Sequence, residues 1–180
     1  MSAGNYFPLL ARYNQWMNQK LYDCTSSLPA EALYLDRGAF FGSIWGTLNH
    51  IAVGDTIWLK RFSRHPACAA PLAALADTPT PQHLDDILFP EFATLRAYRE
   101  QLDRRIIDLV GTLDEAALGY PLTYTNMQGV TSTREFGALL VHFFNHQTHH
   151  RGQVTTLLFQ AGVDPGVTDL LTLIPQTPTE

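Results

Sequence analysis

The chain carries only two cysteines in 180 residues, Cys24 and Cys68, and they form no spaced pair. That excludes a Cys-x-x-Cys redox motif and a cysteine zinc site, and leaves two thiols suited to a reducing compartment, neither expected to be catalytic. Charge is also scarce. Lys and Arg number 12 against 17 Asp and Glu, a formal net charge of -5, and the bases gather only in the local pairs Arg61/Arg64 and Arg104/Arg105. No basic patch or nucleic-acid motif results, so DNA and RNA are not expected partners. No apolar run reaches the roughly 18 residues of a membrane span, and the first residues lack the basic-then-apolar order of a secretion signal. No membrane association and a cytoplasmic location are therefore expected. Internal repeats and low-complexity tracts are absent.

What the sequence does have is helical period. With 46% hydrophobic residues it can bury one sizeable core, and a single domain over residues 1–180 is expected. Tyr6, Leu10, Tyr13, Met17 and Leu21 recur at spacings of four or three and mark a first helix ending before Ser27. After a turn from Leu28 to Arg37, Ser43 is placed to cap a second helix running to about Arg61. Ser63 to Pro79 holds Pro66, Pro71 and Pro79 and reads as a long crossover, with space for one helical turn at Leu72 to Ala76. Thr80 and Pro81 read as cap and first residue of a third long helix whose seam includes Leu88, Leu95, Leu102, Ile106 and Leu109. Leu122, Tyr124 and Val130 give the only strand signal, two very short strands around Asn126 to Gly129. Ser132 with Glu135 matches a capping box that opens a fourth helix ending at Gly162, and an apolar tail from Val167 to Ile174 is suited to docking. The expected fold is all-α, an antiparallel four-helix bundle with a long crossover loop and a very short hairpin.

Four of the seven histidines fall between Glu135 and Gly162. On a wheel of about 100° per residue, His146 and His150 lie in one apolar stripe with Phe136, Leu139, Phe143, Val154 and Leu157. Four residues apart, their rings stack and can converge on one point. The spacing alone fits two readings, a metal-binding pair or hydrogen-bonded core residues; either way two inward imidazoles need polar partners or a metal. His142 and His149 flank the stripe, and Arg151 lies round the other side. On the second helix His50 points away from the main apolar side, with Gly46 and Gly54 one turn to each side of it. Glycines in a helix weaken it, and their structural return is close approach of another helix or a bound group. His50 is thus a candidate third ligand. Asp55, among Leu48, Ile51 and Leu59, requires a charged or hydrogen-bonding partner if buried. Three neutral nitrogens with an open fourth position suit zinc or nickel at a catalytic site. No Glu follows the first histidine, so the His-Glu-x-x-His protease signature is missing.

Three separated segments carry a family resemblance: YNQW from Tyr13 to Trp16, LNHIAVGDTIW from Leu48 to Trp58, and HFFNHQTHHRGQ from His142 to Gln153. In their order and over nearly the whole chain, they resemble the DinB-like superfamily of bacterial metal-binding four-helix-bundle proteins. The resemblance implies a divalent metal held by His50, His146 and His150, with Asp55 and Arg151 in structural or supporting positions and His142 and His149 as further supporting candidates. It also implies a homodimer formed through helix packing. Relatives of that superfamily include thiol-dependent S-transferases and the mycothiol-dependent maleylpyruvate isomerase. The implied function is a divalent-metal-dependent S-transferase acting on a small-molecule substrate with a low-molecular-weight thiol, without a motif to choose among mycothiol, bacillithiol and glutathione. A hydrolase using metal-bound water and a non-catalytic, stress-related metal-binding dimer are the alternatives, and no residue is assigned a catalytic role.

Overall fold

The computed structural model describes residues 6–177. Four long helices form the bundle: α1 (Phe7–Ser26), α3 (Ile44–Phe62), α4 (Phe92–Gly111) and α6 (Phe136–Gln160). Two short helices, α2 (Ala30–Tyr34) and α5 (Glu115–Leu118), and a hairpin of β1 (Pro121–Thr125) with β2 (Thr131–Glu135) fill the connections. Each long helix packs on two others, α1 and α3 both touching α4 and α6. The side-chain pairings give the directions. Asn14 and Asn18 meet Asp103 while Asp23 meets Arg96, so α1 and α4 are antiparallel. His50 meets His150 and Phe62 meets Phe136, so α3 and α6 are antiparallel too. Between the pairs the neighbours run parallel, Trp45 against Phe92 and Asp55 against Arg99. A parallel step from α3 to α4 requires the chain to travel back the length of the bundle, which is the physical reason for the long crossover.

Local signals explain most helix ends. Ser43 Oγ accepts the Gly46 N–H at 3.0 Å and caps α3, as expected from sequence. Gly162, at φ +84°, ends α6 in the left-handed conformation a side chain disfavours. The crossover holds a 3₁₀ turn at Ala73–Leu75, inside the stretch expected to make one.

Two launch signals fail. Thr80 and Pro81 do not start α4, which opens at Phe92 behind Pro90. Instead the Asp86 carboxylate accepts the N–H groups of Gln82 and His83 at 2.7 and 3.0 Å, a local turn that competes with helix, and Pro90 has no N–H to contribute. Ser132 does not cap α6 either. It pairs with Tyr124 inside the hairpin, and Glu135 takes the N-cap position without a side-chain bond. Hydroxyl pairs Thr123–Thr133 and Thr125–Thr131, at 2.7 and 3.1 Å, draw these residues into strands. The turn expected from Leu28 to Arg37 contains α2.

The tail docks on α1 by polar bonds rather than by its apolar side chains. Tyr13 and Lys20 donate to the carbonyls of Thr168 and Val167, while Leu171 stays 74% exposed.

The bundle centre is charged. Arg99, 2% exposed, pairs with Asp55 and Asp103; Asp55 also accepts from Gln147, Asp103 from Asn14 and Asn18, and Arg151 donates to Asn14. This chain of contacts ties all four long helices together. Burial opposes the Arg99 charge, but the carboxylates of Asp103 and Asp55 outweigh it and hold the guanidinium more firmly protonated than usual. For Arg151 burial outweighs the pull of Tyr13, Asp55 and Asp103 and brings its pKa down to about 10. No described helix is long and apolar enough to cross a membrane.

Candidate metal centre

Antiparallel packing of α3 on α6 brings His50 opposite His146 and His150. His50 Nε2 lies 3.3 Å from His146 Nε2 and 3.1 Å from His150 Nε2, and the three candidate ligand atoms lie within 4.8 Å of one another. His50 and His150 are buried and His146 half-buried.

Hydrogen bonds on the far side of the rings set the tautomers. His50 Nδ1 is 2.7 Å from the Leu84 carbonyl, which can only accept, so Nδ1 carries the proton and Nε2 presents a lone pair. His150 Nδ1 donates in the same way to Gln153 Oε1 at 2.8 Å. The close approach of His50 Nε2 and His150 Nε2 is therefore two lone pairs facing each other, not a hydrogen bond. A cation between them would satisfy both lone pairs. At Zn–N lengths of about 2.0–2.1 Å, the edge of a tetrahedron is about 3.3 Å, close to the separations seen here. The donor set fits a divalent metal of the imidazole-binding group, and the outer hydrogen bonds are of the kind that orient such ligands.

Burial first, and the neighbouring imidazoles second, push the His146 pKa down to about 3; burial lowers His50 to about 4 and His150 in the same direction. The rings are thereby kept neutral, the form a metal binds.

The two glycines beside His50 have separate jobs. A Cβ on Gly54 would fall 2.9 Å from His146 Cε1, so the absence of a side chain is what lets that ring approach. A Cβ on Gly46 would fall 2.1 Å from the Phe41 carbonyl oxygen. Phe41 in turn stacks on His50, with ring centroids 3.7 Å apart and planes 17° apart, and meets His150 edge-on.

The other sequence candidates stand outside the triad, His149 edge-on to His150 at 4.8 Å and His142 at 6.2 Å from His146 between ring centres. His142 and His149 are exposed; His142 sits against the Trp58 ring at 5.0 Å, and His149 borders a surface cavity of about 440 Å³. Asp55 and Arg151 belong to the charged bundle centre, Arg151 packed over the Tyr13 ring and bonded to Asn14. Burial pushes the Asp55 carboxyl upward against the opposing pull of Arg99. Three contributors were not singled out in the sequence: the fully buried Gln147, which donates to Asp55, and Phe41 and the Leu84 carbonyl, which both meet His50. Gln153 alone carried a readable signal, three residues after His150 and so on the same helix face.

On the open side a cavity of about 350 Å³ is lined by His50, His146, Gly54, Trp58 and Arg61, with Leu84 and the hairpin tip around it. Among the described residues no fourth histidine, cysteine or carboxylate joins the cluster.

The chain is similar to the Protein DinB of Bacillus subtilis (strain 168), 29% identical over 171 residues covering 95% of each chain. No solved structure matches it significantly. The model of the DinB family matches residues 1–180, and with its four-helix bundle and its triad of facing imidazoles the chain belongs to the DinB family.

Proposed function

We propose that the protein is a divalent-metal-dependent enzyme that transfers the sulfur of a low-molecular-weight thiol to an electrophilic small molecule, with His50, His146 and His150 as the ligands of a zinc or nickel ion. The observation that carries this reading is the three-sided cluster beside a cavity. A purely structural ion would call for a fourth protein donor, and among the described residues none joins the three imidazoles.

When bound, the ion supplies Lewis acidity that favours thiolate over thiol. The chain's own residues do the remaining work. Leu84 and Gln153 hold two of the rings in the lone-pair-inward tautomer, and the Phe41 ring covers His50 from the side. In the transfer, the thiol sulfur forms a bond to carbon, the bond from that carbon to its leaving group breaks with the electron pair, and the thiol proton passes to solvent. Thiol transfer is favoured over hydrolysis by the cavities at the site. Neither the one beside His50 nor the one beside His149 is lined by Asp or Glu, so outside the triad His149 is the sole candidate base in their lining, whereas a metal-stabilised thiolate needs none.

Protein prepared without a histidine tag or nickel resin is expected to contain about one equivalent of metal per chain, and to conjugate a small thiol to an activated aryl halide. His146→Ala is expected to lose both. Turnover of an ester or amide substrate in the complete absence of thiols would replace this reading with the hydrolase; metal retained without any conjugation would point to a non-catalytic dimer.

A further inference from the structure

The outer face of α3 carries a row of side chains that continues past the histidine. His50, Gly54, Trp58 and Arg61 follow at spacings of four, four and three, and the cavity of about 350 Å³ runs along them. A second cavity of about 260 Å³ shares Ile57, Arg61, Asn126 and Met127 with the first and adds Lys60 and Arg64. Arg61 stands where the two meet. The lining of both contains no Asp or Glu, in a chain whose net charge is -5. Three cations gathered against the overall composition mark a place for negative charge.

Arg61 is held ready for it. Its guanidinium lies 4.7 Å from the Trp58 ring centre and 5.3 Å from that of Tyr124. Arg96 and Arg99 are each paired with carboxylates, but among the described residues no carboxylate pairs with Arg61. A guanidinium fixed against aromatic faces keeps its N–H edge available for two oxygens at once. The row also sets a length. Arg61 is eleven residues beyond His50, about 16 Å of helix axis. Between the two ends the walls are apolar, formed by Ile57, Trp58 and Met127.

We infer that this cleft binds the substrate and that Arg61 takes the carboxylate or phosphate of an elongated organic anion whose other end reaches His146. The identity of the reacting end rests on the thiol-transfer reading; the anion rests on the cleft alone.

Hexanoate, hexyl phosphate and hexanamide share a chain and differ in charge. Titrated by calorimetry into the full chain, both metal-loaded and chelator-treated, the two anions are expected to bind about tenfold tighter than the amide, the size of a charge-assisted hydrogen bond. The tighter anion identifies the preferred head group. Their advantage is expected to shrink in 0.5 M NaCl, to vanish in Arg61→Gln and to return in part in Arg61→Lys, with the Trp58 indole N–H resonance shifting on binding. Equal binding of hexanoate and hexanamide overturns the inference. So does an unchanged anion preference in Arg61→Gln, or a preference seen only in the metal-loaded protein, where the ion itself would be taking the carboxylate. If Arg61→Gln fails to fold, the wild-type comparison with hexanamide and its salt dependence decide the matter. Absence of metal or of thiol conjugation, with the anion preference intact, removes the proposed reaction and leaves the cleft.

Discussion

Replacing Gly54 with alanine separates the stability of the bundle from the integrity of the metal site. The new Cβ would lie 2.9 Å from His146 Cε1, whereas carbon atoms in contact prefer about 3.5–4.0 Å. The ring must therefore retreat by about 0.6–1 Å, well beyond the ±0.2 Å that ligand distances tolerate. Two terms act on folding. Alanine is about 1 kcal/mol better than glycine inside a helix, and overpacking costs about 1–3 kcal/mol. They largely offset each other because the imidazole is half-buried and able to swing toward the cavity. The metal has no such compensation, and a displaced ligand is expected to weaken binding by about 10–100-fold, the loss typical of disturbed ligand orientation. Competition with a chromogenic chelator reads the affinity; thermal melting in excess chelator reads the fold. A Gly54→Ala protein that binds zinc as tightly as wild type refutes the assignment of His146 as a ligand held in place by this contact. One that melts far lower in chelator refutes the offset.

Two further outcomes are expected. Asp55→Asn leaves the Arg99 charge with Asp103 as its only carboxylate, and because both partners are fully buried the loss should be about 3 kcal/mol by urea denaturation. A loss under about 1 kcal/mol would mean the network does not hold the helices. His65 accepts the Ala67 N–H at Nδ1 and donates from Nε2 to the Ala117 carbonyl, and burial lowers its pKa. A histidine whose folded pKa lies below the unfolded value of about 6.5 contributes fully above that pH and loses its contribution as pH falls toward the folded pKa. Wild-type stability should therefore fall between pH 6.5 and 5 more steeply than that of His65→Gln, by up to about 1.4 kcal/mol per pH unit. Parallel curves for the two proteins would show that His65 titrates alike folded and unfolded.

Much of this protein was legible in residue spacing, because a helix repeats and its contacts are local. The stacking of His146 over His150, the cap at Ser43 and the stop at Gly162 all depend on neighbours within four residues, while the glycines around His50 were visible as a spacing whose cause, His146 and Phe41, lies farther off. Where the reading failed, two local preferences competed. Thr80-Pro81 resembles a helix start and Ser132/Glu135 a capping box, but the Asp86 turn and the threonine ladder of the hairpin formed instead. The burial of Gln147 and Arg151 was not legible for a different reason. A wheel with one apolar stripe assumes one buried side, while α6 packs on both α3 and α1 and buries Gln147 against Asp55 of α3 and Arg151 against Asn14 of α1.

By itself the sequence determined the four long helices, the inward pair on α6 and the candidate third ligand on α3, since periodicity and glycine placement are properties of single helices. Only the tertiary structure decided that α3 runs antiparallel to α6, so that His50 meets the pair nitrogen to nitrogen. It alone brought Leu84 to the back of His50, Phe41 onto its face, and Arg61 to the junction of two cavities free of acid residues. Those contacts join residues far apart in the chain, and no local spacing encodes the packing that brings them together.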